Sequence, residues 1–228
     1  MAGSRFGVSW IDSYDLMDER PAPPAGAAEP ALLPANIGIG DVLLEPGEHP
    51  FRSRYASRNP GLRIEPSIYL DALGHDFLLF GGRIVIRMFD TARDLMSLSE
   101  PLIVNCSGLG SRALFGDDEL VPLKGQLTLL VPQAEVAYAT FGGIPRRPDA
   151  QEPFFFHMMP RADGLALGGT SERGVWTLEP NEDARRRIVD GHIELFASMR
   201  PPERGLSMSA SLPPAAPPPV ESFFDLRS

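Results

Sequence analysis

The placement of proline constrains this chain more than any other feature. Of its 24 prolines, nine fall between residues 20 and 66 and seven after residue 200. Proline fixes φ and removes a backbone donor, so neither stretch reads as a long helix or a central strand. The expectation is therefore an irregular entry segment over 1–66 and an extended tail over 200–228, with Phe223 and Phe224 as the tail's candidate anchors. Within the entry segment only 6–11 reads as a short strand, followed by the acidic Asp12, Asp15, Asp18 and Glu19.

Between these ends the pattern is ordered. Pro66 and Ser67 make a helix start, Tyr69, Leu73, Phe77 and Phe80 recur at helical spacing, and Gly81 and Gly82 supply a stop, which predicts a helix over 67–82. Residues 83–89 and 101–105 are short apolar runs. With Thr91 capping a short helix through Leu98 between them, they read as parallel strands buried on both faces. The pattern then changes to four runs separated by turns, at 126–131, 136–141, 154–160 and 164–169, which predict successive strands of an antiparallel sheet. A last helix starts at Asn181, has Glu182 and Asp183 in its first turn, and carries a stripe of Ile188, His192, Leu195, Phe196 and Met199.

Composition narrows the function classes. Twenty-one Lys and Arg against 30 Asp and Glu give a net charge of -9, which repels a polyanion and argues against nucleic acid as a general partner. No apolar run approaches the roughly 20 residues that span a bilayer. One Cys makes neither an internal disulfide nor a Cys-based zinc site, four scattered His lack ligand spacing, and the reducing cytoplasm is the default compartment. Cys106 ends an apolar run and reads as a small packed hydrophobe rather than a nucleophile.

The local motif with cofactor chemistry is the run from Leu102 into Gly108-x-Gly110-x-x-Ala113. It has the literal form of a dinucleotide fingerprint, but that fingerprint needs a helix of several turns after the glycines and an acidic residue about 20 positions on. Gly116, Asp117 and Asp118 stop the helix after about one turn, and no carboxylate lies near Thr128. The run is therefore a close-approach turn and not the primary pyrophosphate site; without a ligand it is simply a tight connection.

Taken in order, the helix over 67–82, the run Arg83-Ile-Val-Ile-Arg-Met-Phe89 and the turn Val104-Asn-Cys-Ser-Gly-Leu-Gly110 resemble the FAD-dependent oxidases related to D-amino-acid oxidase. Lys124-Gly-Gln126, Met159-Pro160-Arg161, the glycines from 164 to 169 and Arg173-Gly-Val-Trp176 resemble that family's substrate domain. The resemblance covers roughly residues 60–199. It implies an α/β plus α+β chain: part of a Rossmann-like FAD-binding domain over 67–114, and a substrate domain with a mostly antiparallel sheet over 115–199. It further implies FAD as cofactor, with Arg87, Met88 and Phe89 and the turn Ser107, Gly108 and Leu109 along its adenosine half.

The implied substrate is a small molecule with an amine- or hydroxyl-bearing carbon, oxidised by hydride transfer to flavin N5 with O2 as acceptor. The family's opening strand with its GxGxxG turn has no counterpart, and Gly38-Ile-Gly40 does not replace it. The resemblance therefore implies an N-terminally shortened, bacterial-type member whose partner is the missing FAD-binding portion. A non-catalytic module that keeps the fold without FAD is the competing reading.

Residues 154–159 alternate two faces, Phe154, Phe156 and Met158 on one and Phe155, His157 and Met159 on the other; either lines a cavity or both are core. Phe156, His157 and Arg161 are the candidate substrate-binding residues, with His157 standing where the family's amine oxidases carry an aromatic. Arg161 and Arg173 flank the turn glycines as candidate anion contacts. Arg185, Arg186 and Arg187 read as a solvent face.

Overall fold

The computed structural model describes residues 2–22, 41–143 and 155–200. Pro23, Pro24, Pro30, Pro34, the Gly38 to Gly40 segment, Phe154 and the tail after Arg200 lie outside these residues. A short helix, α1 (Ala2–Arg5), leads into β1 (Val8–Met17), and then come β2 (Val42–Leu44), β3 (Tyr55–Ile64) and α2 (Pro66–Leu79). After a 3-10 turn at Ala92–Ser97 and another at Gly108–Gly110 come α3 (Ser111–Phe115), β4 (Leu123–Lys124), β5 (Leu127–Leu130) and β6 (Tyr138–Gly142). The described chain closes with β7 (His157–Arg161), β8 (Gly164–Gly168), β9 (Glu172–Arg173) and α4 (Glu182–Ala197).

Seven strands form one sheet in the order β2-β3-β1-β6-β7-β8-β5, and β4 pairs with β9 separately. Every neighbour in the large sheet is antiparallel except β1 with β6. The sheet is thus mostly antiparallel, as expected, and β6, β7 and β8 pair in succession, but β5 pairs with β8 rather than with β6, whose other neighbour is β1.

Two expectations are corrected. The proline-rich entry is not irregular throughout, because β1 runs ten residues and pairs with a ten-residue β3 that contains Pro60. Among the described residues β2 meets β3 only from Ala56 to Arg58, so no described strand lies on that side of β3 at Pro60, a position where a missing donor is tolerated. Conversely, 83–89 and 101–105 form no strand among the described residues and lie open: Ile86 is 100% and Val104 76% exposed. Cys106 is likewise exposed rather than packed. Apolar runs become strands only where a partner strand and a covering layer exist, and the described residues supply neither here.

Helix signals fare better. α2 starts with Pro66 at its first position and Glu65 as the N-cap. It ends where Gly81, at φ 87°, turns left-handed and Gly82 N–H donates to the Phe77 carbonyl, as a glycine stop does. None of its residues is buried, and Leu73 and Phe77 stay half-exposed. Asp94 accepts from the N–H groups of Asp90 and Thr91 at the 3-10 turn, and these bonds hold its carboxyl below the ordinary range. Asn181 caps α4 by accepting from Ala184 N–H at 3.0 Å.

The core sits on the sheet face that α4 covers. Tyr14, Leu16, Phe51, Ala56 and Leu195 form one cluster; Met158, Leu165, Leu167 and Ile188 form the other. Phe51, Met158 and Ile188 are fully buried, each stabilising the fold by about 1.5–3 kcal/mol relative to exposure. The predicted α4 stripe is the one that docks, while Arg185 and Arg186 pair outward with Glu182 and Asp183.

Two buried histidines belong to this core. Burial pushes both His49 and His192 below the ordinary imidazole value of 6.5. The unfolded chain therefore takes up protons first, and stability that is whole above about 6.5 is lost as pH falls through and below that value. Urea midpoints at pH 7.5 and 5.5 should show the drop, and a His49→Gln/His192→Gln variant should flatten it.

Candidate functional site

On the face away from α4, β6, β7, β8 and β5 present a continuous apolar and aromatic surface. The β7–β8 hairpin turns through Ala162 and Asp163 and pairs Arg161 with Gly164, which sets His157 opposite Gly168. Gly168 has no side chain there, and the His157 imidazole occupies the space: a Cβ on Gly168 would lie 2.1 Å from its Cε1 and 2.2 Å from its Nε2. His157 Nδ1 is 3.1 Å from the Phe155 carbonyl. A carbonyl only accepts, so that bond needs the proton on Nδ1 and leaves Nε2 as the free acceptor.

Phe141 and Phe155 stack at 5.9 Å between ring centres, and His157 lies 6.3 Å from Phe141 and 6.1 Å from Phe155. The half-exposed Leu127 and Leu129 extend this surface on β5. A polar edge continues it on β1, where Asp15 is in register with Phe141 and accepts from Asn59 at 2.6 Å. Burial, and then the nearby Asp41, hold the Asp15 carboxyl above its ordinary range, against the Asn59 bond.

The three substrate-binding candidates do not share one surface. Strand alternation puts His157 and Arg161 on the ring face, about 13 Å apart along β7. Phe156 is buried on the opposite face, edge-on to His192 at 5.5 Å. Arg161 is committed to Asp163 through two bonds of 2.9 and 3.2 Å, so it offers no unpaired cation. Arg173 lies on β9, paired with Leu123 across the small ribbon. Phe141 was not singled out by sequence reasoning, which took Gly168 with Gly169 as a turn between Arg161 and Arg173, whereas Gly168 ends β8 opposite His157; the two-residue hairpin turn, which fixes that pairing, was the readable signal.

The cofactor candidates lie on exposed main chain. Arg87 and Met88 are exposed and Phe89 is partly covered; the Arg87 guanidinium sits 5.1 Å from the Phe89 ring centre and donates to Ser97 Oγ at 2.6 Å. At the glycine turn Asn105 Oδ1 accepts from Ser107 N–H and Oγ, and Asn105 Nδ2 donates to Ser111 Oγ. Gly108 is left-handed, φ 56°, and a Cβ there would meet nothing within 4 Å. The turn is thus held by side-chain bonds and, among the described residues, leaves open space at Gly108, which fits the close approach of a cofactor. α3 ends at Gly116 after little more than one turn, as expected.

Among the described residues no three His, Cys, Asp or Glu side chains gather as a metal site requires, and no helix is long and apolar enough to cross a membrane. The profile of the FAD dependent oxidoreductase family, DAO, matches residues 38–219. The chain belongs to this family. Among the DAO proteins it is similar to, the D-amino-acid oxidase of Streptomyces coelicolor is 29% identical over 205 residues, which cover 81% of this chain and 60% of that protein. The D-aspartate oxidase of Homo sapiens is 31% identical over 139 residues, 60% of this chain and 37% of that protein. The D-amino acid oxidase of Dugesia ryukyuensis is 26% identical over 134 residues, 58% and 35%. The chain therefore spans at most 60% of the length of these three DAO relatives.

Proposed function

We propose that this chain carries the adenosine-side cradle and the substrate-facing sheet of an FAD-dependent oxidoreductase acting on a small molecule with an amine- or hydroxyl-bearing carbon. The observation that carries this reading is the open left-handed turn at Gly108 in a chain of the DAO family. When bound, FAD supplies the hydride acceptor at N5, and O2 is the proposed final acceptor. Main chain at Arg87, Met88 and Phe89 and at Ser107, Gly108 and Leu109 borders the cofactor. The ring face excludes water and orients the substrate carbon, which is the protein's main task in such chemistry. His157 provides an acceptor at Nε2, Arg161 holds the hairpin at the far end of the same strand, and Phe156 supports β7 from behind. The relatives' names, D-amino-acid and D-aspartate oxidase, support an amino-acid-like substrate.

Among the described residues the helix that follows the glycine turn, α3, is only five residues long and offers the pyrophosphate no built N-terminus. We assign that role to a glycine-rich βαβ unit, from an adjoining segment or a second chain. The apolar surface at Ile84, Val85, Ile86, Met88, Leu102 and Val104 is more than half exposed at each residue and supports such a covering partner. The same surface favours the second reading, an interaction module without FAD. In protein reconstituted with FAD and the βαβ unit, Gly108→Val should weaken flavin binding more than it shifts the urea midpoint. Equal losses, or loss of stability alone, would return the turn to a purely structural role.

A further inference from the structure

We propose that His192 is a positioning residue for the ring face, holding the start of β7 from the opposite side of the sheet. His192 is 2% exposed, edge-on to Phe156 and stacked on Phe196 at 6.2 Å. Its Nε2 lies 3.2 Å from the His157 carbonyl, while Nδ1 lies 2.7 Å from the Ile188 carbonyl one turn back in α4. Both partners are carbonyls and a neutral imidazole has a single N–H. We place that proton on Nε2, where it donates to the His157 carbonyl and ties α4 to β7 by a side chain; the Ile188 carbonyl already accepts the helical bond from the His192 backbone. His157 carries its own ring to the other face, over Gly168 and beside Phe141 and Phe155. A bond to its carbonyl therefore fixes where that ring and Phe155 are presented. The functional weight of this bond rests on the ring face being the substrate side, but its existence does not.

The test needs neither flavin nor substrate. In the full chain with histidine-selective labelling, the contact between the His157 ring and Gly168 is read by NMR, and amide exchange is read over residues 155–159. His192→Phe keeps the bulk and the ring stacking and removes the donor; exchange should rise about tenfold and the ring contact weaken, the loss of roughly one hydrogen bond. His192→Gln restores a donor and should return both readouts toward wild type. A Phe variant with a lowered urea midpoint but unchanged His157 contacts and exchange would make His192 merely a core residue and overturn the proposal. So would a folded Gln variant that fails to restore them. Absence of flavin binding, by contrast, would sink the cofactor reading and leave this result standing.

Discussion

Replacing Gly142 with valine should destabilise the protein by about 3 kcal/mol or more, the sum of backbone strain and overpacking. Gly142 ends β6 at φ 77°, and a Cβ there would sit 2.8 Å from the Leu16 carbonyl. That carbonyl is main chain of β1, in register with Gly142 through the one parallel pairing of the sheet, so it has nowhere to go. Gly142 N–H also donates to the Phe156 carbonyl at 2.8 Å, which makes the same position the link to β7. Urea denaturation measures the effect, and Gly108→Val is the internal control: its φ is also left-handed but its Cβ meets nothing, so it carries the strain without the collision. Equal losses in the two variants would contradict the close approach at Gly142.

Gly168→Ala should do the reverse, costing little stability and much function. Its Cβ would fall on the His157 ring and 2.9 Å from Leu127 Cδ2. Both are ends of side chains on an open face, and swinging them aside costs about 1 kcal/mol, the scale of an off-rotamer side chain. The imidazole leaves its place beside Phe141 and Phe155, however. A displacement of about 1 Å in a positioning group is able to cost about 100-fold in rate, so turnover in the reconstituted enzyme should fall on that order while the urea midpoint barely moves. Full turnover in Gly168→Ala would remove His157 from the proposed site.

What the sequence made legible was local. The glycine stop after α2, the Thr91 and Asn181 starts, the stripe on α4 and the early end of α3 are decided by residues within one or two turns of each other. Strand partners are decided by residues far apart, so the antiparallel sheet was readable in kind but not in order, and β5 could not be assigned to β8. Pro60 misled because a proline count does not tell an edge position from a central one. The apolar runs 83–89 and 101–105 misled in the opposite sense, since their pattern describes a covered strand and the described residues do not cover them. At the site, alternation along β7 separated Phe156 from His157, but the stacking of His157 on Phe141 required knowing that β6 lies beside β7.

The central claim, that this DAO chain holds part of an FAD site and needs a glycine-rich βαβ unit to complete it, is tested by the visible absorption spectrum of the purified protein after FAD is added and excess removed. The chain by itself should retain little flavin, and the chain fused to or mixed with the βαβ unit of a D-amino-acid oxidase should be yellow, with flavin bound near one to one. A stable monomer that holds stoichiometric flavin without that unit would contradict the shared site, and a colourless protein in both preparations would contradict the FAD reading itself.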